Sequence, residues 1–201
     1  LAIIAGHSPP DTGISPGQDV MQQRIDLLIH ASWIVTCDSE QNIMEDHCLA
    51  VADGHIVDIL PGNLARLTYL AGQEIDLRGH ALMPGLVNAH GHAAMSLLRG
   101  AADDLSLHAW LQDYIWPLEG RWVDEEFVYQ GTRLAIAEML LSGTTCFADM
   151  YFFPNAAARA AVEAGMRAQL ACPIIDFPTA WASDADEYIS KATALHDQFR
   201  A

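Results

Sequence analysis

His90 and His92 stand on either side of one glycine at the end of the apolar run GLVNAHGH. Side chains of an extended strand alternate between faces, so both imidazoles are expected on one side, together with Asn88. Two neutral imidazoles converging at the C-terminal end of a parallel strand make a nitrogen donor pair for a catalytic divalent metal, because parallel α/β folds build their sites at that end. An isolated HxH more often means one ring hydrogen-bonded in a core and the other exposed. Here the pair follows PGLVNA behind a β-rich segment, and that context favours the metal. Asp149 closes a second apolar run, TTCFADM, where a carboxylate would face the same end; a supporting or structural role suits it at least as well as direct chemistry. Asp103 and Asp104, near Arg99, read as solvated loop charge. His108 and His196 lie in helical stretches without a partner at ligand spacing, and His30, His47, His55 and His80 belong to the β-rich segment.

The elements that must position this pair can be read from periodicity. From Arg24 to about Pro84 short apolar runs alternate with turns: IDLLIHASWIVT, CLAVADGHIVDIL and EIDLRGHALMPG. These are expected strands, with Asp53-Gly54 as a two-residue type I' hairpin turn, and a small antiparallel β unit follows. After Pro84 buried runs alternate with helical stretches, as in parallel βα units. GLVNAHGH, from Gly85 to His92, is the first expected strand. A helix should run from near Asp124 to just before Gly143, with Phe127, Leu134 and Leu141 on one face. TTCFADM, from Thr144 to Met150, is the second strand. Asn155 is positioned to cap an alanine-rich helix that stops at Gly165, and MRAQLACPII, from Met166, is the third strand. Ser183 with Asp186 resembles a capping box, ahead of a helical stripe of Tyr188, Ala192, Leu195 and Phe199. The first twenty residues, with three prolines, three glycines and no sustained period, read as a tail; Met21 stands as a possible natural start.

The 201 residues carry 26 acidic against 10 basic side chains, with 51% hydrophobic residues, so the chain is apolar enough for a sizeable core. A formal charge of -16 with a single lysine, Lys191, offers no basic surface for phosphates, which argues against nucleic acid and anionic membrane as partners. No apolar run approaches the ~20 residues that span a bilayer, and LAIIAGHSPP lacks the basic and apolar regions of a signal peptide. Cys37, Cys48, Cys146 and Cys172 contain no CxxC pair, so neither a zinc ribbon nor a disulfide framework is indicated; Cys146 and Cys172 read as small buried apolar residues. A reducing, cytoplasmic setting is expected.

MPGLVNAHGH, from Met83 to His92, resembles the first-strand metal motif of the amidohydrolase superfamily, whose members join a small β-sandwich to a (β/α)8 barrel. HAAMSLLRGAADDLSLHAWLQDYIWPLEGRW, from His92 to Trp122, closely resembles the 5'-methylthioadenosine/S-adenosylhomocysteine deaminases, in a group that also holds triazine chlorohydrolases. The likeness runs from about Arg24 to the end and covers the N-terminal half of such a protein. It implies an α/β metal-dependent hydrolase: a tail over 1–20, disordered or non-native, the N-terminal part of a β-sandwich over 21–83, and over 84–201 the first three βα units of a (β/α)8 TIM barrel, which in full takes about 250 residues.

By the same resemblance His90 and His92 are two ligands of one catalytic zinc ion (Zn2+). Glu119 holds the ribose hydroxyls, a task for which an ionised carboxylate is suited because it accepts from two neighbouring hydroxyls at once. Without the motif, Glu119 would read as a turn residue paired with Arg121. Trp110 sits near sugar and base by that likeness, although a tryptophan in LHAWLQDYIW also reads as helix packing. The remaining ligands and the acid/base residues are expected on later strands, beyond Ala201, so no catalytic residue falls within the chain. The implied reaction is hydrolytic deamination of an adenine nucleoside, 5'-methylthioadenosine or S-adenosylhomocysteine, to the inosine analogue and ammonia. The implied partners are a small-molecule nucleoside and, at full length, further copies of the chain. Two alternatives stay open: a related triazine chlorohydrolase or guanine or cytosine deaminase, and an inactive fragment that only associates with another chain. One departure bears on substrate. Some family members carry an arginine in the strand after GMRA that meets the amino-acid carboxylate of S-adenosylhomocysteine, whereas this chain continues Gln169, Leu170, Ala171, Cys172.

Overall fold

In the computed structural model the chain divides between Pro84 and Gly85 into two units, and residues 22–200 are described. The tail expected over 1–20, and Met21, lie outside them.

In the first unit four strands are ordered β3-β2-β1-β4: β1 (Gln23–Val35), β2 (Ile43–Ala52), β3 (His55–Pro61) and β4 (Tyr69–Leu82). The β2–β3 hairpin turns at Asp53 and Gly54, with φ of 50° and 72°, which is the positive-φ pair of a type I' turn. The Asp53 N–H also donates to Asp26 Oδ2 at 2.7 Å, tying the turn to β1. The unit is not purely antiparallel as expected. A short helix, α1 (Gly62–Thr68), follows β3, and β4 then pairs in parallel with β1, Ile29 opposite Ile75. A hairpin cannot join parallel strands, so β3 and β4 need a crossover, and α1 supplies it. It escaped the sequence reading because seven residues, with no side-chain cap, give too little period to register. Ile25, Leu28, Cys48, Ala50, Leu60, Ala65 and Tyr69 form one buried cluster; Ala31, Ile34, Leu49 and Val51 form another.

The second unit has three parallel strands in the order β5-β6-β7: β5 (Leu86–Asn88), β6 (Thr144–Met150) and β7 (Arg167–Ala171). A 3-10 helix, Ala93–Leu98, follows β5; then come α2 (Leu107–Ala109), a π-helical turn (Trp110–Ile115), α3 (Trp116–Trp122) and α4 (Glu125–Leu141). α5 (Pro154–Glu163) links β6 to β7, and α6 (Ala185–Arg200) follows β7. Asp124 caps α4 by accepting the Phe127 N–H at 2.8 Å, and Gly143 takes φ 85° just past its end, both as the sequence indicated.

Three local expectations fail for packing reasons. The buried face of α4 is Val128, Gly131, Thr132, Ala135 and Ile136, whereas Leu134 and Leu141 are exposed. Gly131 sits at the point of closest approach: a Cβ there would lie 2.5 Å from the Ala94 carbonyl oxygen, so a larger residue at 131 could not meet that turn. Asn155 does not cap α5. Phe153, at φ 49°, turns the chain into Pro154 as the first helical residue, and Asn155 Nδ2 instead donates to Glu125 Oε1 at 3.1 Å. Ahead of α6 the capping pair is Asp184 and Glu187: Asp184 Oδ1 accepts the Glu187 N–H at 2.9 Å, while Glu187 Oε2 accepts the Ser183 N–H at 2.7 Å. Phe147, 1% exposed at the centre of β6, packs with Ala135, Ile136, Ala160 and Met166, and such burial contributes about 1.5–3 kcal/mol. Among the described residues no helix is long and apolar enough to cross a membrane.

Candidate metal and substrate site

β5 can lie close to β6 because residue 85 has no side chain; a Cβ there would come within 2.1 Å of Thr145 Oγ1. The strand was expected to continue through His92, but it stops at Asn88. Asn88 Oδ1 accepts the His90 N–H at 3.2 Å, a local side-chain bond that competes with the strand ladder and turns the chain. The end of β6 then holds the turned segment. The Met150 N–H donates to Gly91 O at 3.3 Å, and the Ala93 N–H donates to Asp149 Oδ1 at 2.7 Å. Asp149 is therefore a buried anchor, and burial pushes its carboxyl up against the opposing pull of the Ala93 N–H and of His92.

The two rings meet although the strand period does not carry them. Their centroids are 5.3 Å apart, edge to face at 78°. His92 Nδ1 lies 2.7 Å from Met150 O. A carbonyl only accepts, so Nδ1 carries the proton and the Nε2 lone pair is left for a metal, the usual outer-shell arrangement of a ligating histidine. The donor chemistry thus fits zinc at two positions. Among the described residues no group of three or more His, Cys, Asp or Glu side chains is placed to hold a metal ion.

Glu119 is on α3, whose first turn is set by Pro117. The Tyr151 hydroxyl, from the residue after β6, donates to Glu119 Oε1 at 2.7 Å. Burial pushes the Glu119 carboxyl up, while the Tyr151 hydrogen bond and the charge of His92 oppose this. Burial, then the Glu119 hydrogen bond, also push the Tyr151 phenol up. The Tyr151 ring lies 6.5 Å from that of His92, so one buried tyrosine connects the histidine pair to Glu119. Nothing in the local sequence signals this, since its partner is 32 positions away.

Beside Glu119 is a cavity of about 210 Å³ bounded by Trp116, Val123, Phe152 and Phe177. Trp110 does not line it; that side chain is half-buried at the start of the π-helical turn. Asp103 and Asp104 are exposed, and Arg99 forms a two-point ion pair with Glu138 at 2.8 and 2.6 Å. His108 and His196 are exposed and stand apart from the pair.

Parallel βα units with a histidine pair just past the first strand define an α/β fold of the metal-dependent hydrolase class. The profile of the amidohydrolase family matches residues 81–200, and the chain belongs to that family. It is 56% identical over 88% of its length to a 5-methylthioadenosine/S-adenosylhomocysteine deaminase of Saccharophagus degradans, and 52% identical over 88% to that of Teredinibacter turnerae. In each case it covers 40% of the relative, so the chain spans about two fifths of the length of these curated proteins. A solved structure of an adenosine deaminase from Xanthomonas campestris with bound zinc matches with a TM-score of 0.87 and 49% identity, over 90% of this chain and 41% of that one. An atrazine chlorohydrolase of Arthrobacter aurescens, complexed with zinc, shares the fold at a TM-score of 0.74 and 21% identity, over 86% of this chain and 43% of that one.

Proposed function

We propose that these residues are the N-terminal part of a zinc-dependent aminohydrolase that deaminates adenine nucleosides, with 5'-methylthioadenosine and S-adenosylhomocysteine as the substrate class. On this reading β5, β6 and β7 are the first three strands of a (β/α)8 barrel, and the four-stranded sheet is part of a β-sandwich. The observation that carries the proposal is the linked set of His90, His92, Tyr151 and Glu119, which puts a nitrogen donor pair and a half-buried carboxylate on either side of one tyrosine. The names of the relatives and the zinc in the Xanthomonas structure support it.

His90 and His92 would hold one zinc ion; when bound, the ion supplies the Lewis acidity that makes water a nucleophile at neutral pH. The Met150 carbonyl keeps the His92 proton on Nδ1, and Asp149 fixes the loop that carries both rings. Glu119 accepts the ribose hydroxyls. One of its oxygens already takes the Tyr151 hydroxyl, which orients the carboxylate and leaves lone pairs for two more donors. Trp110 stays in the proposal as a neighbour of the sugar and base. The complete enzyme is expected to be a cytoplasmic homo-oligomer without nucleic-acid or membrane partners.

The test is a substrate panel on the complete protein carrying these residues, following the adenine-to-hypoxanthine absorbance change. Glu119→Gln is expected to lose more activity with nucleosides than with free adenine, because only nucleosides offer ribose hydroxyls. Equal losses on both would reject the ribose role, and activity confined to triazines or free guanine would favour a related hydrolase.

A further inference from the structure

The segment that carries the histidine pair is held at three backbone groups by neighbours, and none of these contacts involves a metal. Gly91 O accepts the Met150 N–H at 3.3 Å, Asp149 Oδ1 accepts the Ala93 N–H at 2.7 Å, and Asn88 Oδ1 accepts the His90 N–H at 3.2 Å. The first two come from the end of β6 and fix the His92 half. The contact at His90 comes from Asn88, the last residue of β5, which is opposite Phe147 in β6. Its backbone belongs to the sheet, and its half-buried side chain reaches forward two residues. A backbone N–H only donates, so the amide atom facing it is the oxygen; this sets the orientation of the amide and leaves Nδ2 toward Met139 Sδ at 3.8 Å. Gly91 fits the same turn, since a Cβ there would already stand 3.4 Å from Asn88 Nδ2 and from Ala148 O.

We propose that Asn88 is a positioning residue for the zinc pair: its side-chain carbonyl sets the turn from Asn88 to His90 and so brings the two imidazoles together before a metal arrives. This rests on the reading of His90 and His92 as ligands of one zinc ion. In a continued strand, side chains two residues apart stand about 6.6 Å from each other. Two nitrogens on one zinc ion stand within about 4 Å, because each bond is about 2.1 Å long. The strand period therefore holds the rings too far apart, and the turn draws their centroids to 5.3 Å. An Asx turn of this kind replaces the next ladder bond by a side-chain bond, which is why the strand ends where the asparagine stands. A pair already set in place loses less conformational freedom when the metal binds, and that saving appears as affinity.

The experiment measures zinc affinity of the complete protein by competition with a chromophoric chelator, and the geometry at the metal from the visible spectrum of the cobalt-substituted form, for the wild type, Asn88→Ala and Asn88→Asp. Removing an outer-shell partner of a metal ligand typically costs about tenfold or more in affinity, so Asn88→Ala is expected to lose that much and to change the cobalt bands. Asn88→Asp keeps an oxygen acceptor at the same place and should restore both to near the wild type. Amide hydrogen exchange at His90 and Ala93 in the zinc-free wild type should already be slow and change little when zinc is added; this arm needs no variant to fold. Wild-type affinity and spectrum in Asn88→Ala, an equal loss in Asn88→Asp, or amides protected only once zinc is present would each overturn the positioning role. None of these readouts uses a nucleoside, so they stand whether or not adenine nucleosides are turned over. A wild type that binds no zinc, or His90→Ala and His92→Ala variants that bind it fully, would instead defeat the metal reading, and the role of Asn88 with it.

Discussion

The proton on His92 Nδ1 is fixed by one backbone carbonyl, Met150 O at 2.7 Å, and that contact decides which nitrogen remains for a metal. Tyr151, the next residue, does for Glu119 what its neighbour does for His92. Its hydroxyl is the group that orients the Glu119 carboxylate, from a buried ring that cannot easily turn away. Tyr151→Phe keeps the ring and deletes that hydrogen bond. If Glu119 holds the ribose as proposed, KM for adenine nucleosides is expected to rise several-fold with a smaller effect on kcat. Steady-state kinetics check this; an unchanged KM with a collapsed kcat would place Tyr151 in the chemistry. The histidine pair was legible because HxH behind PGLVNA is a local pattern. The link through Tyr151 was not, since no periodicity relates positions 119 and 151.

At the scale of elements, strand β6 and the bounds of α4 could be read directly: a continuous apolar run, an Asp124 cap and a Gly143 stop are all local signals. The face that α4 buries could not. Gly131 and Ala135 look weak beside Leu134 and Leu141, yet the small pair is what the 3-10 turn after the histidines packs on. Gly131→Ala would force its Cβ against the Ala94 backbone, at 2.5 Å from the carbonyl oxygen and 2.8 Å from Cα. Overpacking of this kind costs about 1–3 kcal/mol, and the turn that must yield is joined to the histidine loop. Chemical denaturation should show that loss, and a Gly131→Ala variant as stable as the wild type would mean the helix shifts freely.

The start of α6 makes a pH prediction. Lys191, then the Ser183 side chain and N–H, hold the Glu187 carboxyl down from 4.5 to about 2. A carboxyl depressed in the folded state stabilises it fully above the unfolded value, and the gain is lost as pH falls toward about 2. The stability difference between the wild type and Glu187→Gln should therefore be constant near neutrality and shrink between pH 4.5 and about 2 in thermal melts. A difference independent of pH would show that Glu187 acts only as a neutral cap.

At the scale of the whole molecule, 26 acidic against 10 basic residues leave a strongly negative chain, and its sequence places it in the amidohydrolase family. The mixed sheet of the first unit was misread as antiparallel because strand direction depends on a crossover, α1, too short to see in sequence. The parallel pairing of β5, β6 and β7 was visible because apolar runs alternate with helical stretches. The central claim is that His90 and His92 hold the metal on which deamination depends. Bound zinc, measured by elemental analysis on the complete protein and on its His90→Ala and His92→Ala variants, tests it most directly, with turnover of 5'-methylthioadenosine recorded on the same samples. The account predicts that each variant loses most of its zinc and with it detectable deamination, since each histidine supplies one of few ligands. Full zinc occupancy and undiminished turnover in both variants would contradict it.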